Sequence, residues 1–199
     1  GVPLDYTIQA PGTIIADRSE YLNCRGKPTD YGPEDYENYD ESSGARTLYD
    51  GTQDSVNTFF LQLEAATDLC GPYRLAKKLG VNLTHPRITK DNPYPEMAPS
   101  FTLGVPDASP LEMAEAYATF AAHGRHCDSR PVSLIEDSDD NVVKDYQPEC
   151  RQVLDTGVAD AVAKIMEGVI NGGFASAQAL RVPAAGKTGQ FYSLPALAQ

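Results

Sequence analysis

Residues 182–189 of this 199-residue chain read VPAAGKTG, and this segment has three possible interpretations. Its centre, Gly186-Lys187-Thr188, is compatible with a phosphate-binding loop, one strand of a serine acyl-transferase site, or a chance run of small residues. A phosphate loop requires glycine where this chain has Arg181, and Pro183 removes one of the backbone donors that would wrap a phosphate. The sequence therefore argues against nucleotide binding.

Length and charge limit the classes of protein to which the chain can belong. The 199 residues suit one domain or most of one, and 41% hydrophobic with 22% charged residues is a globular composition. A net charge of -12 argues against nucleic acid and against an anionic membrane surface as partners. No apolar run is long enough for a transmembrane helix. The chain also lacks an initiator methionine and a signal peptide, so we expect any anchor or export signal to lie outside it.

Periodicity divides the chain into an extended part and a helical part. The first 45 residues are rich in Gly, Pro, Asp and Tyr and predict extended segments and turns, whereas helical patterns follow. The clearest helix has Ser109 and Glu112 as a capping box and Gly124 as its stop, and we expect its alanine face to receive another helix. That face consists of Ala114, Ala118 and Ala121.

Two further elements complete the predicted order. Residues 130–147 predict a β-hairpin, with two apolar strands around an Asp-Ser-Asp-Asp-Asn turn. A last helix precedes the Lys-Thr-Gly strand. Its predicted inward residues are Val158, Val162, Ile165, Met166 and Val169.

The cysteines leave two alternatives open. Their wide spacing permits two disulfides in an exported protein or four buried free thiols. Cys127 and Cys150 flank the predicted hairpin, where a disulfide would join the two ends of its base. The other two cysteines are Cys24 and Cys70. The sequence contains no Cys-x-x-Cys pair and no histidine spacing typical of a zinc site. The acidic stretch 34–41 is interpreted as a solvated face. We therefore expect the protein to bind no metal or cofactor.

A second motif lies upstream of Lys-Thr-Gly. Ser55-Val56-Asn57 stands between two helical segments, 132 positions before Lys187. Four stretches of the chain together resemble the transpeptidase domain of high-molecular-mass penicillin-binding proteins. They are the surroundings of this motif, DSVNTFFLQL, the capped helix in FTLGVPDASPLEMAEAYATFAAHGR, the hairpin RPVSLIEDSDDNVV and the approach to the Lys-Thr-Gly motif, VPAAGKTG. The order and spacing agree from about residue 1 to residue 189, and they are closer to the bifunctional class A type than to class B.

The resemblance implies an α+β penicillin-binding fold, mainly its helical lobe with an incomplete antiparallel sheet. Within a partial transpeptidase domain over 1–199, it implies four parts: a loop-rich entry segment over 1–45, a helical lobe with the Ser-x-Asn motif over 46–125, a β-hairpin over 126–150, and a helix and the Lys-Thr-Gly strand over 151–190. The implied activity is peptidoglycan D-Ala-D-Ala transpeptidation through an acyl-serine, with stem peptides and β-lactams as ligands. The implied location is the extracytoplasmic face of the bacterial plasma membrane, with the anchoring segment outside this chain.

Three residues match the catalytic positions of the family's second and third motifs. By this resemblance, Ser55 relays a proton toward the leaving group, and Asn57 hydrogen-bonds the peptide and helps to hold the general-base lysine. Lys187 holds Ser55 and supplies positive charge to the cleft.

Three further residues match substrate-binding positions. Thr188 would bind the substrate carboxylate, Gly189 would allow an extended substrate to approach, and the backbone N–H of Gln190 would be one oxyanion donor.

The chain departs from the family pattern at both ends. No serine is followed three residues later by lysine, so the family's Ser-x-x-Lys nucleophile is absent, and we expect it in an N-terminal part of the same protein. The family usually has Thr or Ser where this chain has Gln190, and the tail FYSLPALAQ does not fit. A non-catalytic penicillin-binding-fold module, used for binding or assembly, is therefore the alternative to an enzyme.

Overall fold

The computed structural model describes residues 3–29, 34–40, 43–82, 98–104 and 106–189, and the predicted position Gln190 lies outside these ranges. It has the mixed α+β composition that the sequence predicts, with five α-helices and several short strands within these ranges. The helices are α1 Leu48–Gln53, α2 Asn57–Thr67, α3 Cys70–Lys78, α4 Pro110–Ala121 and α5 Thr156–Ile170.

The described strands form four small antiparallel pairs rather than one broad sheet. The strands are β1 Ile8–Ala10, β2 Thr13–Ala16, β3 Glu34–Glu37, β4 Gly44–Arg46, β5 Arg125–Cys127, β6 Leu134–Glu136, β7 Val142–Asp145 and β8 Cys150–Gln152. In the entry segment, β1 pairs with β4 and β2 with β3, and β1, β2 and β3 all contact α2. Further along the chain, β5 pairs with β8 and β6 with β7.

The hairpin of β6 and β7 forms where the sequence predicts it, and both disulfides form as well. One disulfide joins Cys127 to Cys150, which are paired across β5 and β8, and it closes the base of the hairpin. The other joins Cys24 to Cys70 and ties the entry segment to the start of α3. The structure thus has the disulfide alternative of the two that the sequence left open.

One expectation about a helix face is wrong and another holds except at one residue. The alanine face of α4 is exposed, and the helix buries Ala116 and Thr119 instead, because Leu79 and Val81 pack there. In α5, Ile165, Met166 and Val169 are buried as predicted and Val162 is half-buried. Val158 is 51% exposed, since the buried stripe passes through the neighbouring Ala159. The Ser109–Glu112 capping box on α4 is present as predicted.

Three hydrophobic clusters hold the helices and the entry segment together. The first contains Ala16, Tyr21, Leu69 and Tyr73; the second Ile8, Ala10, Val56 and Phe59; the third Leu79, Val81 and Ala116. The second cluster matters most for function because it fixes the start of α2, where the Ser-x-Asn motif lies. Within the described ranges, no helix is long and apolar enough to cross a membrane.

A carboxyl group lies buried in the middle of α2. Glu64 is 2% exposed, and neither of its oxygens has a hydrogen-bond partner of normal geometry among the described residues. Burial raises the pKa of Glu64 to about 9, with the backbone amide of Thr102 as a weaker, opposing influence. Glu64 is therefore a neutral carboxylic acid in the folded protein at pH 7.

Glu64 predicts a specific loss of stability with rising pH. The folded pKa lies above the ordinary value of 4.5, so the unfolded chain releases this proton first, and the free energy of unfolding falls between pH 4.5 and about 9. Glu64→Gln keeps the shape but cannot ionise, and we expect its advantage over the wild type in free energy of unfolding to be about 5 kcal/mol larger at pH 8.5 than at pH 4.5. Urea unfolding at both pH values measures this, and an equal difference at the two would contradict it.

Candidate active site

The Ser-x-Asn motif lies in the turn between α1 and α2. The capping box of Thr47 and Asp50 starts α1, and Val56, buried in the second cluster, precedes the first residue of α2. Between them Ser55 has φ 57°, a left-handed conformation that is uncommon for residues other than glycine. The Ser55 N–H donates to the Thr52 carbonyl at 3.2 Å. A strained backbone held in this way presents the Ser55 hydroxyl at a fixed position, as is frequent at functional sites.

Lys187 brings the two predicted motifs together. Its Nζ donates to Ser55 Oγ at 2.5 Å, and it also contacts the carbonyl and the Oγ1 of Thr188, each at 3.2 Å. These are three acceptors for the three donors of a lysine ammonium. The segment is anchored to α5 through the Gly186 N–H, which donates to the Met166 carbonyl at 3.2 Å.

Lys187 is a half-buried cation that has no counter-charge nearby among the described residues. Burial lowers the pKa of Lys187 below its ordinary value of 10.5. No carboxylate in the described part of the chain lies within ion-pair distance of it. In a chain with a net charge of -12, such a lysine provides a local positive site suited to an anionic ligand.

The segment that carries Lys187 has no partner strand among the described residues. The sequence predicts Lys187, Thr188 and Gly189 as a strand, but they are not in one, because no other described segment lies alongside them to exchange backbone hydrogen bonds. A Cβ added at Gly189 would meet no described atom within 4 Å. The described residues thus leave space for an extended ligand beside this backbone.

Asn57 lies beside this cluster but has a different partner from the one expected. Its side-chain amide donates to the Glu37 carbonyl at 2.9 Å and so links α2 to the end of β3. Among the described residues it makes no hydrogen bond to Lys187. The structure thus brings Ser55, Lys187 and Thr188 together, with Asn57 at the edge.

Asn38 is a residue of this region that the sequence did not reveal. It is 2% exposed, and its side chain donates to the Thr58 hydroxyl at 3.0 Å and accepts from the Thr58 N–H at 3.0 Å. Thr58 in turn donates to the Pro11 carbonyl at 2.7 Å. This buried network fixes the first turn of α2 next to the Ser55 turn. A single asparagine in an acidic, loop-rich segment carries no signal of such a role.

Comparisons with known proteins identify the family of the chain. Residues 15–192 match the penicillin binding protein transpeptidase domain family. Among curated relatives, penicillin-binding protein 1A of Aquifex aeolicus is 30% identical over 179 residues, covering 89% of this chain and 23% of the relative. Penicillin-binding protein 2a of Streptococcus pneumoniae is 34% identical over 84 residues, covering 42% of this chain and 12% of the relative. The chain thus spans less than a quarter of these relatives.

Solved structures share the fold. Penicillin-binding protein A of Mycobacterium tuberculosis, as a ceftriaxone acyl-enzyme complex, gives a TM-score of 0.73 at 22% identity, covering 95% of this chain and 43% of that one. The D,D-transpeptidase domain of a peptidoglycan glycosyltransferase from Eggerthella lenta gives a TM-score of 0.70 at 22% identity, covering 97% of this chain and 50% of that one. Because the family match extends over most of the sequence, this chain belongs to the penicillin-binding protein transpeptidase domain family.

Proposed function

We propose that this chain carries the second and third motifs of a peptidoglycan D-Ala-D-Ala transpeptidase of the class A type. The observation that carries the proposal is the 2.5 Å contact between Lys187 Nζ and Ser55 Oγ, which joins motifs that are 132 residues apart. The family match and the relationship to penicillin-binding protein 1A support the same activity.

The reaction transfers an acyl group in two steps. A nucleophilic serine attacks the penultimate D-Ala carbonyl, the peptide C–N bond breaks, and the terminal D-Ala leaves with a proton on its amine. An amine of a neighbouring stem peptide then attacks the acyl-serine, forms the cross-link and returns a proton to the serine oxygen. Ser55 lies at hydrogen-bond distance from Lys187, so a proton can pass through Ser55 Oγ to the leaving nitrogen.

The Lys-Thr-Gly segment suits the carboxylate end of the substrate. The terminal carboxylate of D-Ala-D-Ala, or the carboxylate of a β-lactam, would accept a hydrogen bond from the Thr188 hydroxyl near the ammonium of Lys187. Open space beside Gly189 would admit the peptide backbone, and the N–H of Gln190 would face the oxyanion. Asn57 would contact the peptide after exchanging its Glu37 partner.

We also propose that the nucleophile is the serine of a Ser-x-x-Lys motif in a more N-terminal part of the same protein, since this chain contains none. That part would be the physical partner of the site. The protein would act outside the bacterial plasma membrane, held there by a segment beyond this chain, where stem peptides and β-lactams reach it.

Covalent labelling of the longer protein by a fluorescent penicillin tests the proposal. We expect one adduct, and peptide mass mapping should place it on the serine of the Ser-x-x-Lys motif. A folded protein that contains this motif and takes no label would instead support a non-catalytic binding module. An adduct on Ser55 would contradict the proton-relay role of that residue.

A further inference from the structure

A glycine lies in the last turn of α5, where it faces the end of α1. Gly168 stands two residues before the end of the helix, at a position where alanine would be the better helix former. A Cβ at Gly168 would overlap the side-chain amide of Gln53, the last residue of α1, and would lie 2.5 Å from its Cδ and 2.8 Å from its Cγ. The lack of a side chain therefore allows α1 to approach α5 closely.

A second glycine brings the loop after α5 to the same residue. The Phe174 N–H donates to the Gln53 carbonyl at 2.8 Å. A Cβ at the preceding Gly173 would lie 2.8 Å from that carbonyl oxygen and 2.7 Å from the carbonyl oxygen of Gly168. Both of these oxygens belong to the backbone, so no rotation of a side chain relieves the contact. Gly173 is thus needed for α1, α5 and this loop to meet.

The Ser55 turn is hydrogen-bonded to the end of α1. Ser55 lies two residues after Gln53, and its N–H donates to the Thr52 carbonyl at 3.2 Å. The N–H of the next residue, Val56, donates to the Gly51 carbonyl at 2.9 Å. Because both acceptors belong to α1, a displacement of this helix carries the Ser55 hydroxyl with it.

The same part of α5 holds the segment of the other motif. The Met166 carbonyl accepts from the N–H of Gly186, the residue directly before Lys187, at 3.2 Å. A Cβ at Gly186 would lie 3.6 Å from Cδ1 of Ile170, the last residue of α5. Residues 166–173 thus contact the supports of both motifs.

We propose that Gly168 and Gly173 are positioning residues that set the distance between Ser55 Oγ and Lys187 Nζ. The inference rests on the proposed transpeptidase function. Each glycine acts through Gln53 rather than by contact with the substrate, and what it maintains is the 2.5 Å hydrogen bond on which the proton relay depends. A misplacement of about 1 Å within a catalytic arrangement can cost roughly 100-fold in rate.

The test separates ligand binding from acylation. In the longer protein, acylation by benzylpenicillin is followed over a range of concentrations, which gives the limiting rate constant of acylation and the dissociation constant of the preceding complex. We expect Gly168→Ala and Gly173→Ala each to lower the limiting rate constant about tenfold and to change the dissociation constant less than about twofold, because Met166 still holds the segment that binds the ligand carboxylate.

A glycine of α3 supplies the matched control. A Cβ at Gly71 would lie at an ordinary contact distance, 3.6 Å from Asp68 Oδ1. Gly71→Ala therefore adds the same methyl group to a helix without a collision, and it should change neither constant.

A compensating substitution distinguishes positioning from general damage. Gln53→Ala removes the Cγ, Cδ and Nε2 atoms that obstruct a methyl group at position 168. We expect it to restore the rate constant of Gly168→Ala to within about threefold of the wild type, but not that of Gly173→Ala, where the obstructing atoms are backbone. In a Lys187→Ala background, Gly168→Ala should have no further effect, because the hydrogen bond on which it acts is absent.

Three results would overturn the positioning role. They are an unchanged limiting rate constant in Gly168→Ala, a loss that Gln53→Ala does not restore in that variant, and a further loss of similar size in the Lys187→Ala background. Urea unfolding checks that each variant is folded, and Gly168→Ala with Gln53→Ala carries the test if Gly173→Ala does not fold. Failure of the wild-type protein to react with benzylpenicillin is a different result, because it contradicts the proposed function itself.

Discussion

Lys187→Ala is expected to lower the rate of acylation by benzylpenicillin about 10²- to 10³-fold. The substitution removes the donor that holds Ser55 Oγ at 2.5 Å and the only cation placed beside Thr188 in the described chain. Both the proton path and the attraction for the ligand carboxylate are lost together. The measurement is the second-order rate constant for labelling of the longer protein by fluorescent penicillin.

A matched control variant and the pH dependence of the acylation rate also test the role of Lys187. Lys164 is an exposed lysine on α5 that pairs with Glu167, so Lys164→Ala should leave the rate unchanged. Because burial lowers the pKa of Lys187, the wild-type rate should fall on the alkaline side below pH 10.5. A Lys187→Ala rate within threefold of wild type would contradict the role of this lysine.

Removing the Cys24–Cys70 disulfide is expected to cost about 4 kcal/mol of the free energy of unfolding. It closes a loop over a sequence separation of 46, and Leu69, next to Cys70, belongs to the first hydrophobic cluster. The double substitution Cys24→Ser with Cys70→Ser avoids an unpaired thiol. Urea unfolding of the oxidised proteins measures the difference.

The second disulfide allows a comparison of the two losses in free energy of unfolding. Cys127–Cys150 closes a separation of only 23 and clasps an exposed hairpin, so its double serine variant should lose about 3 kcal/mol and leave the Ser55 turn intact. A larger loss for this pair than for Cys24–Cys70 would contradict the order that the two loop lengths predict.

The sequence predicted those features that depend on local chemistry or on a recognised motif. The capping box of Ser109 and Glu112 and the β6–β7 hairpin follow from short-range rules. The approach of Lys187 to Ser55 followed from the motif pair rather than from any local pattern, because 132 residues separate them.

Features that depend on tertiary neighbours were not predictable in this way. Periodicity identified α5 as amphipathic, but the buried stripe passes one residue away from Val158. Glu64 is a polar residue in a helical pattern, and its burial depends on tertiary packing, which includes the contact of α2 with the short helix 99–103. Tyr39 and Phe174 form an edge-to-face aromatic pair between two loops that no sequence pattern relates.

A crystal structure of the longer protein after reaction with benzylpenicillin tests the central claim most directly. It should show the penicilloyl group on the serine of a Ser-x-x-Lys motif, with the ligand carboxylate on Thr188 Oγ1 and with Lys187 Nζ still bonded to Ser55 Oγ. An acyl group elsewhere, or a ligand carboxylate that contacts neither Thr188 nor Lys187, would contradict the assignment of these residues to the transpeptidase site.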